Sequence, residues 1–177
     1  MPKRFAKSDW IEQGLEALTE NGPDALTVER LCLSADKTRG SFYFHFENIE
    51  AFMADLVNAW KTQFTTEIIN RPHIRAQRAD LLNQLAARLD LDLEVGVRNL
   101  ALRHSALQPI ISEADQMRID WLANLYVRVA DYDEDKARAL AKIEYASFIG
   151  FKIINPDLKP SEAKILYDAF LKLTNRV

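Results

Sequence analysis

Between Lys37 and His45 the chain packs an ammonium, a guanidinium, two aliphatic hydroxyls, a phenol and an imidazole into nine residues, Lys-Thr-Arg-Gly-Ser-Phe-Tyr-Phe-His. These are hydrogen-bond donors rather than an acid–base pair, and their natural counterpart is an array of acceptors. Arg39 can offer two parallel donors to guanine N7 and O6. Gly40 lets a base edge or phosphate approach the backbone closely, and Ser41 can bond either. Tyr43 and His45 carry polar tips suited to phosphate oxygens, and Phe44 can lie against a thymine methyl or a sugar. Phe42 and Phe46 are expected to fill a small core with Ile11, Leu15, Leu18 and Leu31.

The elements that must position these groups follow from local punctuation. Thr27 is a good N-cap, and Leu26 and Leu31 have the spacing of a hydrophobic staple. A first short helix is expected to run to about Leu33. Ser34, Ala35 and Asp36 form the turn, where Asp tolerates left-handed backbone angles. Thr38 caps a second short helix starting at Arg39, with Lys37 just before it. Two such helices around a tight turn outline a helix-turn-helix, whose second helix can enter the major groove of DNA. Elements this short need a neighbour to pack on. A preceding helix, capped by Ser8 and carrying Trp10, Ile11, Leu15 and Leu18 on one face, supplies it and ends at Gly22 and Pro23. Asn48 caps a long fourth helix expected to reach about Asn70.

With Gly22, Thr27 and Ala35 at matching positions and the run Phe42-Tyr43-Phe44-His45-Phe46 closing the second short helix, residues 8–53 resemble the N-terminal domain of TetR-family transcriptional regulators. The resemblance implies that Thr27, Lys37, Thr38, Arg39, Gly40, Ser41, Tyr43, Phe44 and His45 form a DNA-binding surface, with phosphate contacts at Tyr43 and His45. Two positions depart from the family pattern. Asp36-Lys37 stands where Gly-Val is usual, and Ile49 stands where a phosphate-contacting Lys is common. Loss of that cation should weaken binding and lower its salt dependence.

Beyond Pro72 the pattern predicts helices over Ile74–Leu89, Glu94–Gln108, Ser112–Ala130, Glu134–Asn155 and Ser161–Asn175, with prolines at several boundaries. The fold class is therefore all-α, about nine helices, divided as a helix-turn-helix domain over 1–47 and a helical ligand-binding and dimerisation domain over 48–177. The stripe Ala139, Ile143, Ala146, Gly150 and Ile154, followed by Ile165, Leu166, Ala169, Phe170 and Leu173, completes either the monomer's core or a dimer seam. The resemblance favours the seam, since such regulators typically dimerise through their last two helices. Trp60, Phe64, Met117, Trp121, Tyr145 and Phe148 suit a core as well as a pocket, and the resemblance implies a pocket, with Arg103 or His104 as polar anchors.

Composition is that of a globular helical chain: 177 residues, 48% hydrophobic. No apolar run is long enough to span a bilayer and no secretory signal is recognisable, so a cytoplasmic location is expected. The single Cys32 rules out an intramolecular disulfide and suits a small buried apolar role. Net charge is −3, and residues 1–61 hold 7 Lys and Arg against 10 Asp and Glu. Placement matters more than the total. Lys3, Arg4 and Lys7 lead the chain, Lys37 and Arg39 open the second short helix, and Glu12, Glu16 and Glu20 share one helix face.

Catalysis finds little support. Three histidines (His45, His73, His104) stand without a Cys partner, a paired metal motif or a Gly-rich loop, so no catalytic residue, metal or cofactor is expected. Asp90, Asp92 and Glu94 read as a solvated connection, and Asp131, Asp133, Glu134 and Asp135 as acids at a helix start. The function expected is a homodimeric, ligand-responsive regulator, most readily a repressor, that reads a palindromic operator in double-stranded DNA and responds to a small-molecule effector. The competing reading is a helical small-molecule-binding or enzymatic protein whose helix-turn-helix has lost most of its DNA affinity.

Overall fold

A computed structural model describes residues 5–70, 91–130 and 132–174. The helix expected over Ile74–Leu89 lies outside them, as do Lys3, Arg4, His73, Asp90 and Asp131. Among the described residues there are eight α-helices of five residues or more and no strand. They are α1 (Lys7–Asn21), α2 (Val28–Ala35), α3 (Arg39–Tyr43), α4 (Ile49–Lys61), α5 (Leu91–Arg103), α6 (Gln108–Ala130), α7 (Glu134–Ile154) and α8 (Pro160–Thr174). α4 continues through a π-helical turn, Thr62–Thr66, into a last turn at Glu67–Ile69. None of the helices is long and apolar enough to cross a membrane.

The chain forms two compact units. One holds the residues up to Gln63 together with Asp92–Ser112, and the other begins at Phe64 and resumes at Glu113. The expected division at 47/48 is therefore displaced, because the apolar face of α4 is needed to close the helix-turn-helix core. Phe52, Leu56, Val57 and Trp60 on that face are all buried.

The first unit is built around Phe42. Its ring meets Trp10 edge-on at 5.3 Å, Phe46 at 5.1 Å and Phe52 at 5.4 Å, so one α3 side chain ties α1 and α4 together. α1 starts two residues earlier than the Ser8 cap allows. Ala6 is the cap position, and its backbone N–H donates to the Asp9 carboxylate at 2.7 Å. Gly22 ends α1 at φ 69° and ψ −170°, a region that a β-carbon makes costly. Glu12, Glu16 and Glu20 are exposed along one face as expected.

Gly14 sits where α1 crosses α4. A β-carbon there would stand 2.5 Å from Leu56 Cδ1 and 2.5 Å from Phe52 Cζ, both on fully buried side chains. In an exposed helix Gly→Ala is worth up to about 1 kcal/mol in favour of Ala. Here overpacking, costing about 1–3 kcal/mol, outweighs it. Gly14→Ala is expected to lower the melting temperature, and an equal or higher one in calorimetry would mean that the helices can part freely.

α5 and α6 correct two boundaries. α5 already begins at Leu91 and ends at Arg103, and a short 3-10 turn, Ser105–Leu107, follows it. Pro109 therefore stands in the first turn of α6, where its missing N–H costs nothing, rather than beyond the end of the preceding helix. Glu94 is not part of a solvated connection. It is buried on α5 and held by Arg98 one turn later at 2.8 Å.

The second unit packs α6, α7 and α8 around Leu122, Leu125, Tyr126, Ala137, Ala141, Tyr145 and Tyr167. It also buries a polar network. The Arg118 guanidinium donates to Thr65 Oγ1 at 2.9 Å, to the Tyr145 hydroxyl at 2.9 Å and to the Phe64 carbonyl at 3.3 Å. Tyr145 donates in turn to Asp115 at 2.6 Å. Glu144 accepts from the hydroxyls of Tyr126, at 2.7 Å, and Tyr167.

Candidate nucleic-acid interface

Three N-caps set the geometry of the site. Thr27 Oγ1 accepts from Arg30 N at 3.3 Å, Thr38 Oγ1 from Ser41 N at 3.2 Å, and Asn48 Oδ1 from Ala51 N at 2.7 Å. Each satisfies one backbone donor that a helix start otherwise leaves open. Asp36 ends α2 in the left-handed region, φ 52° and ψ 48°, the one non-glycine residue with positive φ among those described. Asp36 thus takes the backbone conformation of a turn glycine at some conformational cost.

α3 presents two faces. Phe42 and Phe46 are buried, whereas Tyr43 and Phe44 are 53% and 66% exposed. Lys37, Thr38, Arg39 and Gly40 are exposed and Ser41 is half-buried. The buried aromatics root a helix too short to stand alone, so Arg39, Tyr43 and Phe44 are carried on a rigid base. Gly40 is not sterically required within the chain: a β-carbon would meet nothing nearer than Thr38 Oγ1 at 3.7 Å. Ile49 opens α4 half-buried.

Some donors are already engaged. Arg39 Nη2 lies 2.7 Å from Glu29 Oε1 of α2. Lys37 Nζ donates to the Asp36 carbonyl at 3.1 Å and stands 5.4 Å from the centre of the Phe5 ring. Lys7 is paired with Asp55 of α4 at 2.6 Å. His45 donates through Nε2 to the Phe5 carbonyl at 3.2 Å, so that nitrogen ties the N-terminal arm to α3 rather than pointing at an acceptor outside. Cys32 is buried beneath Arg39 and Glu29. Burial pushes its thiol above the ordinary value, with Arg39 opposing and Glu29 adding to the rise, which keeps it a neutral apolar filler at pH 7.

The residues named for a ligand pocket fall into both units. Trp60 is fully buried in the first. Arg103, in the same unit, is exposed and paired with Asp24 at 2.6 Å, and His104 precedes the 3-10 turn half-buried. Phe64, Met117, Trp121, Tyr145 and Phe148 belong to the second unit, with Tyr145 bonded into the Arg118 network. Arg118 and Glu144 escaped notice in the sequence, although spacing holds a signal. Arg118 shares a helical face with Ala114, Leu122 and Leu125, and Glu144 with Ala137 and Ala141, all of them buried.

A helix-turn-helix with an exposed cationic and aromatic second helix, within an all-helical two-unit chain, defines the class of helical DNA-binding regulators. Residues 11–56, the helix-turn-helix and the helices packed on it, match bacterial regulatory proteins, tetR family. The chain's fold resembles that of a Mesorhizobium loti protein assigned to the TetR-family transcriptional regulators (TM-score 0.69, 16% identity, 94% of this chain and 93% of that one). A transcriptional regulator of the TerR/AcrR family from Aquifex aeolicus is similar over 95% of this chain and 98% of its own, at TM-score 0.67 and 19% identity. So is SmeT, the repressor of the Stenotrophomonas maltophilia multidrug efflux pump SmeDEF, over 95% and 89%, at 0.68 and 17%. No curated protein matches the chain in sequence.

Proposed function

We propose that the protein is a homodimeric, effector-responsive repressor whose α3 helices read the two halves of a palindromic operator. The observation that carries this reading is the amphipathic α3: Phe42 anchors it from beneath while Arg39, Tyr43 and Phe44 stay exposed. SmeT, of similar fold, is a repressor, which favours repression over activation. A second copy is expected on α7 and α8, where Ala139, Ile143, Ala146, Ile154, Ile165, Ala169 and Leu173 are exposed and Gly150, Leu166 and Phe170 half-buried. Two-fold pairing would set the half-sites about one helical turn apart.

The effector is a small molecule bound in the second unit, against Phe64, Met117, Trp121, Tyr145 and Phe148. The polar anchor is Arg118 rather than Arg103, which belongs to the first unit. Arg118 holds Thr65 in the π turn that continues α4. An effector competing for Arg118 would act on that turn and so on α4. It must bind the two states unequally to switch them.

Arg39→Ala tests the reading. Salt-dependent binding to DNA upstream of the protein's own gene is expected, with a loss of about 1–3 kcal/mol in the variant and relaxed preference at one base pair. Equal losses on operator and random duplexes would make Arg39 a phosphate contact only. No salt-dependent binding by the unaltered protein would favour the alternative of a helical small-molecule-binding protein with a degenerate helix-turn-helix.

A further inference from the structure

Arg39, the side chain best suited to base readout, is held by an acid from the other helix of the motif. Glu29 lies in the first turn of α2 and its pair with Arg39 is open to solvent, the side chains being 61% and 65% exposed. The two residues share an open concavity of about 450 Å³ with Asp36 and Lys37, so two acids and two bases lie around the start of α3. A recognition surface selected for phosphate affinity alone would not place Glu29 there.

We propose that Glu29 is a specificity-determining positioning residue, which restrains Arg39 and disfavours phosphate contacts at random DNA while leaving guanine readout intact. The inference rests on the reading of α3 as the DNA-reading helix. A guanidinium has five N–H donors, so one contact to Glu29 leaves enough for a bidentate pair to guanine. A guanine edge carries no net charge and meets less repulsion from Glu29 than a phosphate does. A phosphate is an anion that must approach Glu29 and compete with it for the same cation. The pair therefore penalises the contact that carries no sequence information more than the one that does.

The test uses the full-length protein, a duplex selected from a random library for tight binding, and an unselected duplex of equal length. Glu29→Gln is expected to raise affinity for the unselected duplex about fivefold, the scale of an exposed ion pair. Its salt slope should steepen by up to about one unit, and affinity for the selected duplex should change less than twofold. In an Arg39→Ala background the same substitution should have no effect. Persistence of the effect there would show Glu29 acting as a bare surface charge, and overturn the proposal. So would unchanged affinity for the unselected duplex, or a loss confined to the selected one, which would make Glu29 a base contact itself. If the unaltered protein binds neither duplex in a salt-dependent way, the DNA-binding reading falls, and this inference with it.

Discussion

Replacing Gly150 by Arg is expected to turn a dimer into a folded monomer. Gly150 lies on α7 between Ala146 and Ile154, and a β-carbon built there meets nothing within 4 Å of its own chain. The longer side chain thus has room within the protomer, and folding should survive. In a helix-to-helix seam between two copies the same side chain would be a buried charge without a partner, costing about 3–5 kcal/mol. At about 1.4 kcal/mol per tenfold in affinity, that is a two- to four-decade weakening of self-association. Light scattering at micromolar concentration should report the mass of one chain, and circular dichroism should be unchanged. Operator affinity should fall as well, since one protomer engages one half-site. A variant that stays dimeric with an unaltered spectrum would place the interface away from α7.

Removing the Glu144 carboxyl is expected to destabilise the second unit strongly. It accepts from two buried phenols, Tyr126 and Tyr167, and stands 2% exposed among apolar neighbours. Glu144→Ala deprives both hydroxyls of this acceptor, at about 1–3 kcal/mol each, and opens space beside Tyr167. A loss of about 3–5 kcal/mol is expected from urea unfolding, read as a lower midpoint at a similar slope. Glu144→Gln retains one carbonyl acceptor and should lose markedly less. Equal and small losses in both variants would mean that the phenols find other acceptors at little cost.

The helix-turn-helix was legible because its signals are local. A capping side-chain oxygen and the N–H it accepts from lie three residues apart, so Thr27, Thr38 and Asn48 announce their helices without help from the rest of the chain. Asp36 in a turn and Gly22 at a helix end declare backbone angles that few other residues accept. Phe42 and Tyr43, adjacent in sequence, fall on different faces, one buried and one exposed, because successive helical residues are about 100° apart. The family match over residues 11–56 and the all-helical class follow from this same short-range pattern.

What the sequence could not specify is which side chains meet at a distance. Trp10 and Phe52 are 42 residues apart, yet both close on Phe42. That convergence moved α4 into the same unit as the helix-turn-helix. Arg39, free to read a base when α3 is considered alone, is paired with Glu29 because α2 and α3 cross at the turn. His45, with a tip suited to phosphate, is taken by a carbonyl forty residues upstream. Arg118 and Glu144 look like surface charges in a residue count, and only the packing of α6, α7 and α8 buries them and brings hydroxyls within reach. Capping and periodicity act over one or two turns and can be written in the chain itself. Burial and pairing depend on which helix faces arrive together, and only the folded chain decides that.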